Sequence, residues 1–512
     1  MMILVGLVLT VLFAFVLYKT TCKFNYWKLR GVPFLPPIPF FGNYKDYIIL
    51  NNTITHVVNK ICDRFREEPY IGAFYGPEPT LIVKDPEHIK LVLAKDFYYF
   101  NSRENGDYAT KEIITGGLFL SGGDRWKVVR QHLTPFFSSA KMKKMFYLVE
   151  ECTAGLEKLI EDSLQMPKAG VRSMMARFTI DCIGSCAFGV NINATSCEEQ
   201  ENPFCVIGRK IFEPSTARGL KLIGRAVWPD LFYKLGFQAF PSDLTDFFEN
   251  LLKRVFHERG YKHCGRHDFV DLVLGFKESK YITGDSITSL KGEFKKTSIE
   301  VNDSFLSAQC VVLFGAAFET TATTLTFLLY ELAKNPDKQK RAIEEVDLYF
   351  KNHDRIEYEC VYETPYLDAC VCETLRIYPV LGVVTREVVE DYTLPSGVPL
   401  TKGVRVHIPV HHLHHNPEYF SEPDVFRPER FLGAEKGRIK PFTYMPFGEG
   451  PRTCIGLRFA KMQSIAGLLT LLRKCQVELV QETPTEIQFE PRVITTQPVA
   501  EIYLKFTPRL DN

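Results

Sequence analysis

The sequence predicts a mainly α-helical protein with small β-sheets, an α+β fold built as one large body. Three observations carry that expectation. Apolar residues recur at helical spacing over most of residues 125–390. Short runs of β-type composition lie before and after that stretch, each too brief for more than a small sheet. The composition, 46% hydrophobic and 24% charged over 512 residues, suits a chain that buries a large core. No internal repeat, low-complexity tract or second-domain signature interrupts it. A net charge of +1 offers no global attraction to nucleic acid. The 14 cysteines are scattered, as far apart as Cys62, Cys197 and Cys475, which points to a reducing compartment and not a disulfide scaffold.

Residues 1–18 carry no charged side chain and, as a helix, span about 27 Å against a hydrocarbon core of about 30 Å. Lys19, Lys23, Lys28 and Arg30 follow and no basic side chain precedes, which orients the body toward the cytosol. A cleaved signal peptide would show a basic start and a small-residue cleavage site; neither is evident, so the reading is an uncleaved transmembrane anchor. Pro33, Pro36, Pro37 and Pro39 make residues 19–45 a basic, semi-rigid, extended hinge, with residues 46–512 as the body. There, Tyr70–Tyr75 and Thr80–Lys84 read as strands of a hairpin around Gly76-Pro-Glu-Pro79. Asp85 then caps a helix with Pro86 in its first turn. Further strands are expected at Tyr392–Leu394, Val404–Pro409, Val477–Val480 and Glu501–Phe506.

From Asp303 to Asn335 runs one long amphipathic pattern, closed by Pro336 and about 50 Å long as a helix. At its middle, Ala316-Ala317-Phe318-Glu319-Thr320-Thr321 sets a carboxylate beside hydroxyls in apolar surroundings, where burial without partners is expensive. Thr hydroxyls can bond back to preceding carbonyls and bend the helix. Either Glu319 and Thr320 act as an acid–alcohol pair, or this is a Thr-rich helix contact with Glu319 reaching water. Glu373 and Arg376 share one face of a helix begun by Thr364-Pro365, and Trp126 and Arg130 share one face of a shorter helix before Pro135. The most informative run is Phe447-Gly-Glu-Gly-Pro-Arg-Thr-Cys454-Ile-Gly456. A Gly/Pro-rich bend places the thiol just before a helix, where N–H groups and the helix dipole favour thiolate. Gly448, Gly450 and Gly456 let a large flat group approach the backbone, and Arg452 offers a fixed charge to an anionic edge. Such a thiolate could be a nucleophile, a zinc ligand or an axial iron ligand. Zinc would need further close Cys or His, and a nucleophile would need a His base; the axial ligand of a haem fits every residue of the run.

The pattern Phe-x-x-Gly-x-Arg-x-Cys-x-Gly resembles the haem-binding loop of the cytochrome P-450 superfamily. Trp126/Arg130, Glu319-Thr320, Glu373/Arg376 and Pro428-Glu-Arg430-Phe431 stand in that family's order, so the resemblance covers essentially the whole chain. Phe318-Glu319-Thr320 resembles the insect xenobiotic-metabolising family 6 group within it. The resemblance implies the cytochrome P-450 fold and haem b with Cys454 as the iron's axial ligand, flanked by Phe447, Gly448 and Gly456. It directs Trp126, Arg130, Arg386 and Arg452, with Arg103 as a further candidate, toward the haem propionates. It adds Arg430 to Glu373 and Arg376 in a buried structural cluster. It makes Glu319 and Thr320 the proton-relaying pair of a monooxygenase that uses NADPH and molecular oxygen on lipophilic small molecules, whether xenobiotics, plant toxins, insecticides or endogenous lipids. Leu118, Phe119, Val312, Phe314, Ala316, Val380, Val383, Val384 and Thr495 become the substrate-contact candidates. With no Gly-x-Gly-x-x-Gly opening a helix after a strand, electrons would come through a separate NADPH–cytochrome P-450 reductase, with cytochrome b5 as an additional partner, at the endoplasmic reticulum membrane. Ala317 departs from the family's usual Gly; its methyl would narrow the oxygen pocket without removing a chemical group. Two other classes stay open: a haem-thiolate isomerase that rearranges a peroxide, in which the acid–alcohol pair is commonly absent, and a non-catalytic haem- or ligand-binding protein.

Three further features have readings of their own. Leu220–Phe240 mixes Leu220, Ile223, Trp228, Leu231, Phe232, Phe237 and Phe240 with Lys221, Arg225 and Lys234, which suits either a membrane-interface contact or a buried helix pair. Lys141, Lys143, Lys144, Lys436, Arg438, Lys440, Arg458 and Lys461 are candidates for docking an acidic reductase, or simply a solvated face. His411-His-Leu-His-His415 tempts a metal assignment, but adjacent His residues after a strand seldom converge on one ion.

Overall fold

The Asp303–Lys334 helix runs through the interior. Asn302 caps it by accepting from the Phe305 N–H (2.8 Å), and Asn335-Pro336 closes it. Its composition would suit a membrane span, but 72% of its most apolar window is buried, so it is a core helix. Around it pack the helices Ser139–Leu164, Val171–Ile183, Ser242–Glu258, Pro365–Ile377 and Leu457–Lys474, all contributing to one apolar core. The computed structural model describes residues 2–509 apart from 263, 264 and 267, so Met1 of the expected anchor and residues 510–512 of the body lie outside the described residues.

The Tyr70–Tyr75/Glu78–Val83 hairpin forms as expected, with Tyr75 opposite Glu78. Asp85 caps the next helix by accepting from the His88 N–H (3.0 Å). The hairpin extends into a four-stranded sheet: Glu78–Val83 pairs in parallel with Arg405–Ile408, which pairs antiparallel with Val384–Glu387. Val384–Glu387 was not foreseen as a strand, and it places Arg386 on the buried side. A second sheet joins Cys475–Leu479, Tyr503–Pro508 and Ala169–Gly170. A two-stranded hairpin, Tyr281–Asp285 with Lys296–Glu300, interrupts the stretch read as helical.

The N-terminal helix runs Met2–Thr21, past the expected boundary at residue 18, with the Thr20 and Thr21 hydroxyls donating back to the Val16 and Leu17 carbonyls (3.0 and 2.8 Å). None of its most apolar window is buried. The segment expected as a semi-rigid, extended hinge is docked on the body. Trp27 is fully buried, donates to the Ala73 carbonyl (2.8 Å), and fills a slot that Gly72 leaves open; a Cβ there would sit 2.5 Å from the indole ring. Phe34 bridges to Gly72 and Gly42 to Tyr75, so the proline-rich segment is docked along the sheet edge.

Candidate active site

The cysteine loop takes its shape from two glycines. Gly448 and Gly450 have φ of 70° and 72°, and a Cβ on Gly450 would lie 1.9 Å from the Leu93 carbonyl oxygen. Gly456 differs: its φ is −89° and a Cβ would meet nothing closer than 4.0 Å, so the protein's own packing does not require glycine there. The Cys454 N–H donates to the Phe447 carbonyl (2.8 Å), and the Leu457–Lys474 helix begins three residues on. By area the Cys454 side chain is exposed, yet protein surrounds it on nearly every side, so the space it opens onto is interior. Burial pushes its thiol up, against the Gly456 N–H and the Arg130 and Arg103 charges, which pull it down. The thiolate-favouring influences expected at this helix start, a backbone N–H and nearby positive charge, are present and are opposed by burial.

Four guanidinium groups converge beside it. Burial lowers Arg452 first, and repulsion from Arg103, Arg386 and Arg130 lowers it further. Burial brings Arg103 down to about 10 and, with repulsion from Arg103, Arg386 to about 9. The Nε atoms of Arg103 and Arg386 are buried without a hydrogen-bond partner, and no carboxylate pairs with any of the four among the described residues. Buried cations with unused donors call for an anionic ligand. A haem, its propionates among these arginines and its iron at the sulfur, fits the residues present. The arginines divide the work differently from the expectation. Arg452 donates to the carbonyls of Asn101 (2.6 Å) and Ser121 and stacks 4.6 Å over the buried Trp126 ring. Arg130, expected with Trp126 toward the propionates, donates to the Thr453 carbonyl (2.9 Å). Arg103 and Arg386 therefore keep more donor capacity than the motif's own arginine.

On the core helix, Val312, Ala316 and Thr320 recur every four residues and so share a face. Ala316 is exposed in the middle of a largely buried helix, so this face borders an interior space. The Thr320 hydroxyl donates to the Ala316 carbonyl (2.6 Å). A Cβ on Gly117 would lie 2.5 Å from Val312, the Leu118 N–H donates to Gln309 (3.0 Å), and Arg103 lies 3.9 Å over the Phe119 ring. Segment 103–119 thus links the arginine cluster to the Val312 end of that face. Val380, Val383, Val384 and Thr495 are all buried, and the Thr496 N–H donates to the Val380 carbonyl (2.9 Å). Phe314 is a correction. Two positions before Ala316, it is turned about 160° away by the helical period. It is fully buried against Phe204, Phe248 and Phe318, with ring centroids 6.0, 5.3 and 4.9 Å away, a core residue and not a pocket wall.

Glu319 does not reach water. It accepts from Arg172 (2.7 Å), Gln497 (2.8 Å) and Thr323 (3.2 Å), all on Oε1. Burial alone would lower the Arg172 guanidinium, but its pairing with Glu319 outweighs that and raises it. Sequence reasoning missed Arg172 and Gln497, which lie 147 and 178 positions from Glu319 with no local pattern to mark them.

Glu373 and Arg376 are fully buried and form a paired fork (2.8 and 2.9 Å), which Arg430 joins at 3.2 Å. Arg376 also donates to the His414 carbonyl (2.8 Å), and the His414 ring bridges the Arg376 carbonyl (3.1 Å) and the Met445 N–H (3.0 Å). Burial brings His414 down to about 3, so it stays neutral, its Nδ1–H donating and its Nε2 accepting. The cluster thereby reaches the backbone two residues before Phe447. His411 and His415 stack at 4.0 Å, and no group of three or more metal-ligating side chains occurs among the described residues.

Fold and site together define a haem-binding enzyme with a thiolate ligand. Comparison with known proteins agrees: a family profile described as cytochrome P-450 matches residues 32–506. The chain is 35% identical over 507 residues to cytochrome P-450 6B2 of Helicoverpa armigera, covering 98% of each chain. It is 35% identical over 508 residues to cytochrome P-450 6A1 of Musca domestica, covering 97% of this chain and 96% of the relative. Probable cytochrome P-450 6a14 of Drosophila melanogaster is 34% identical over 493 residues, 94% of this chain and 95% of that protein. The chain belongs to the cytochrome P-450 family and is a haem-thiolate monooxygenase.

Proposed function

We propose that this chain is a membrane-anchored monooxygenase that takes electrons from NADPH through a separate reductase and inserts one oxygen atom into lipophilic small molecules. The observation that carries the reading is Cys454 with four guanidinium groups converging beside it, together with a core-helix face of Ala316 and Thr320 that borders an interior space. Haem, when bound, supplies the redox chemistry that activates oxygen. Cys454 would hold the iron, and Arg103 and Arg386, whose Nε atoms are buried without partners, would meet the propionates. Thr320 presents a hydroxyl to the reacting side, and Glu319 on the same helix turn is the carboxylate that would take up and release a proton there, its charge held by Arg172. The buried Val380, Val383 and Val384 supply an apolar wall that favours lipophilic substrates and excludes water. The relatedness to family 6 proteins supports xenobiotics, plant toxins and insecticides as the substrate class.

Electron delivery is assigned to the outer side of the cysteine loop. A cleft of about 570 Å³ lies there between Trp126, Arg130, Pro135, Leu290, Pro451 and Arg458. Lys143 and Lys461 already pair with Glu359 and Asp368, which leaves Lys141, Lys144, Lys436, Arg438, Lys440 and Arg458 as the cationic set for a reductase or cytochrome b5. The Met2–Thr21 helix anchors the body at the endoplasmic reticulum membrane.

Reduced, carbon-monoxide-treated full-length protein should show the absorption that sulfur-anion ligation produces, and Cys454→Ala should lose it. Reconstituted with reductase and NADPH, the protein should oxidise members of a lipophilic panel. A pigment-free folded protein would overturn the haem assignment. Rearrangement of a hydroperoxide without NADPH, and no NADPH-dependent turnover, would favour the isomerase reading instead.

A further inference from the structure

The C-terminal turn carries a feature that the haem chemistry does not by itself explain. Gln497 is buried, and its Nε2 donates both to Glu319 Oε1 (2.8 Å) and to Thr495 Oγ1 (3.1 Å). A carboxylate accepts only, so the amide must present its NH2 to Glu319, and with the second bond to Thr495 both of its protons are used. The next residue back along the turn is tied as firmly: the Thr496 hydroxyl donates to the Pro379 carbonyl (2.7 Å) and its N–H to the Val380 carbonyl (2.9 Å). One short turn therefore grips the segment bearing Val380, Val383 and Val384 on one side and the buried acid of the core helix on the other.

Glu319 has two kinds of partner. Arg172 supplies charge from the surface side, while Gln497 supplies a neutral, directional bond from the substrate side. The ion pair is a single bond from a 30% exposed guanidinium, which stabilises charge with little constraint on direction; an amide held at both protons fixes direction. We propose that Gln497 is a positioning residue for proton delivery: through Thr495 and Thr496 it couples the substrate-lined turn to the orientation of Glu319, so that proton supply depends on how a substrate seats against that turn. This rests on the proposed proton-relaying role of Glu319 and Thr320.

The test uses the full chain with haem, NADPH–cytochrome P-450 reductase and an alkoxycoumarin as probe. Three quantities are read: product formed per NADPH oxidised, the pH profile of that ratio, and the probe's dissociation constant measured by fluorescence without NADPH. Gln497→Ala should lower the product ratio by roughly threefold or more, as expected for losing one bond to a charged group, with the dissociation constant within about twofold of the parent. Gln497→Glu places a second carboxylate against Glu319, which raises its proton affinity and should move the pH profile upward. Thr495→Val, which keeps the amide but removes its second anchor, should lower the ratio less than Gln497→Ala and serves should that variant fold poorly. Weakened probe binding with an unchanged product ratio would overturn the inference, making Gln497 a pocket residue only, and so would parent-like behaviour in all three quantities. Thr320→Ala separates the two levels. If it leaves the ratio unchanged, the relay reading itself falls; if it lowers the ratio while the Gln497 variants do not, only the present inference falls.

Discussion

At the scale of single residues, the site is set by atoms that leave no room for substitution. Gly450 combines a φ of 72° with a carbonyl oxygen 1.9 Å from where a Cβ would stand, so Gly450→Ala must move the cysteine loop or the Leu91–Lys95 segment. Either movement should cost about 3 kcal/mol or more, read as a lowered thermal midpoint and a lowered haem content after purification. Gly456→Ala is the internal control. Its φ is negative and its surroundings are open to 4.0 Å, so it should fold normally, and any haem loss there would report contact with the ligand itself. Thr320→Ala belongs to the same scale. Among the described residues its hydroxyl bonds only to the Ala316 carbonyl of its own helix, so the fold should survive while reducing equivalents are diverted to peroxide. Peroxide measured against NADPH consumed checks this, and an unchanged ratio would remove the hydroxyl from the mechanism.

At the scale of elements, the Pro365–Ile377 helix and the cysteine loop are joined by buried charge. Glu373 is fully buried against Arg376 and Arg430, so Glu373→Ala leaves two arginines without their anion and should cost about 3–5 kcal/mol. His414→Phe is milder: it keeps the volume but removes the bridge to the Met445 N–H, and should raise the share of reduced carbon-monoxide complex lacking the thiolate signature. The Val384–Glu387 strand introduces a pH dependence. Burial, the largest influence, raises Glu387 from 4.5 to about 7. Between those values the folded protein holds a proton that the unfolded chain has released. Glu387 thus favours the fold fully below pH 4.5, and that contribution is lost as the pH rises through about 7. Glu387→Gln should flatten this part of the curve of thermal midpoint against pH; an unchanged slope would place the titration elsewhere. That strand also shows where sequence reading runs out. Four residues, Val384-Thr-Arg-Glu387, carry too little alternation to stand out, and their pairing partner begins at Arg405. The cysteine loop was legible because glycines, arginine and thiol lie within ten consecutive positions. Glu319 was visible too, but Arg172 and Gln497 reach it only through tertiary packing, and Phe314 was misplaced because apolar character does not reveal which way a buried side chain faces.

At the scale of the whole molecule, the proposed anchor sets how the body would meet a bilayer. The hinge was read as a spacer, since prolines and lysines are visible in sequence; its docking was not, because the slot for Trp27 is made by Gly72 of a distant strand. Docking matters because a fixed hinge holds the body at a set distance from the anchor, and Phe13 of the anchor already stands 6.5 Å from Phe40 of the hinge. The segment read as membrane contact or helix pair buries one face and exposes the other. Ile223 and Phe232 are buried, while Leu220, Leu231, Leu235 and Phe237 are 51%, 56%, 62% and 49% exposed. Lys234 is partnered by Asp230 (2.6 Å) and Arg225 is buried, which leaves Lys221 exposed, so attraction to the surface would be mainly apolar with one cationic contribution that salt weakens. Each half-exposed side chain contributes about 1 kcal/mol on entering lipid, enough together to hold a tethered body against the bilayer. The same segment is stitched to the substrate side: Glu112 accepts from the Ala239 and Phe240 N–H groups (3.0 and 3.1 Å) and from Tyr233 (2.9 Å), and Leu118 and Phe119 follow a few residues later. A lipophilic molecule entering from lipid would therefore arrive next to the residues that line its path inward. With the full chain in vesicles, a photoreactive probe confined to the bilayer should label residues 216–240 as well as the anchor, at both low and high salt. Leu231→Glu combined with Phe237→Glu should abolish the first labelling and spare the second. Labelling restricted to residues 2–21 in the unmodified chain would leave the body free of the membrane and direct the search for the substrate entrance to the aqueous face.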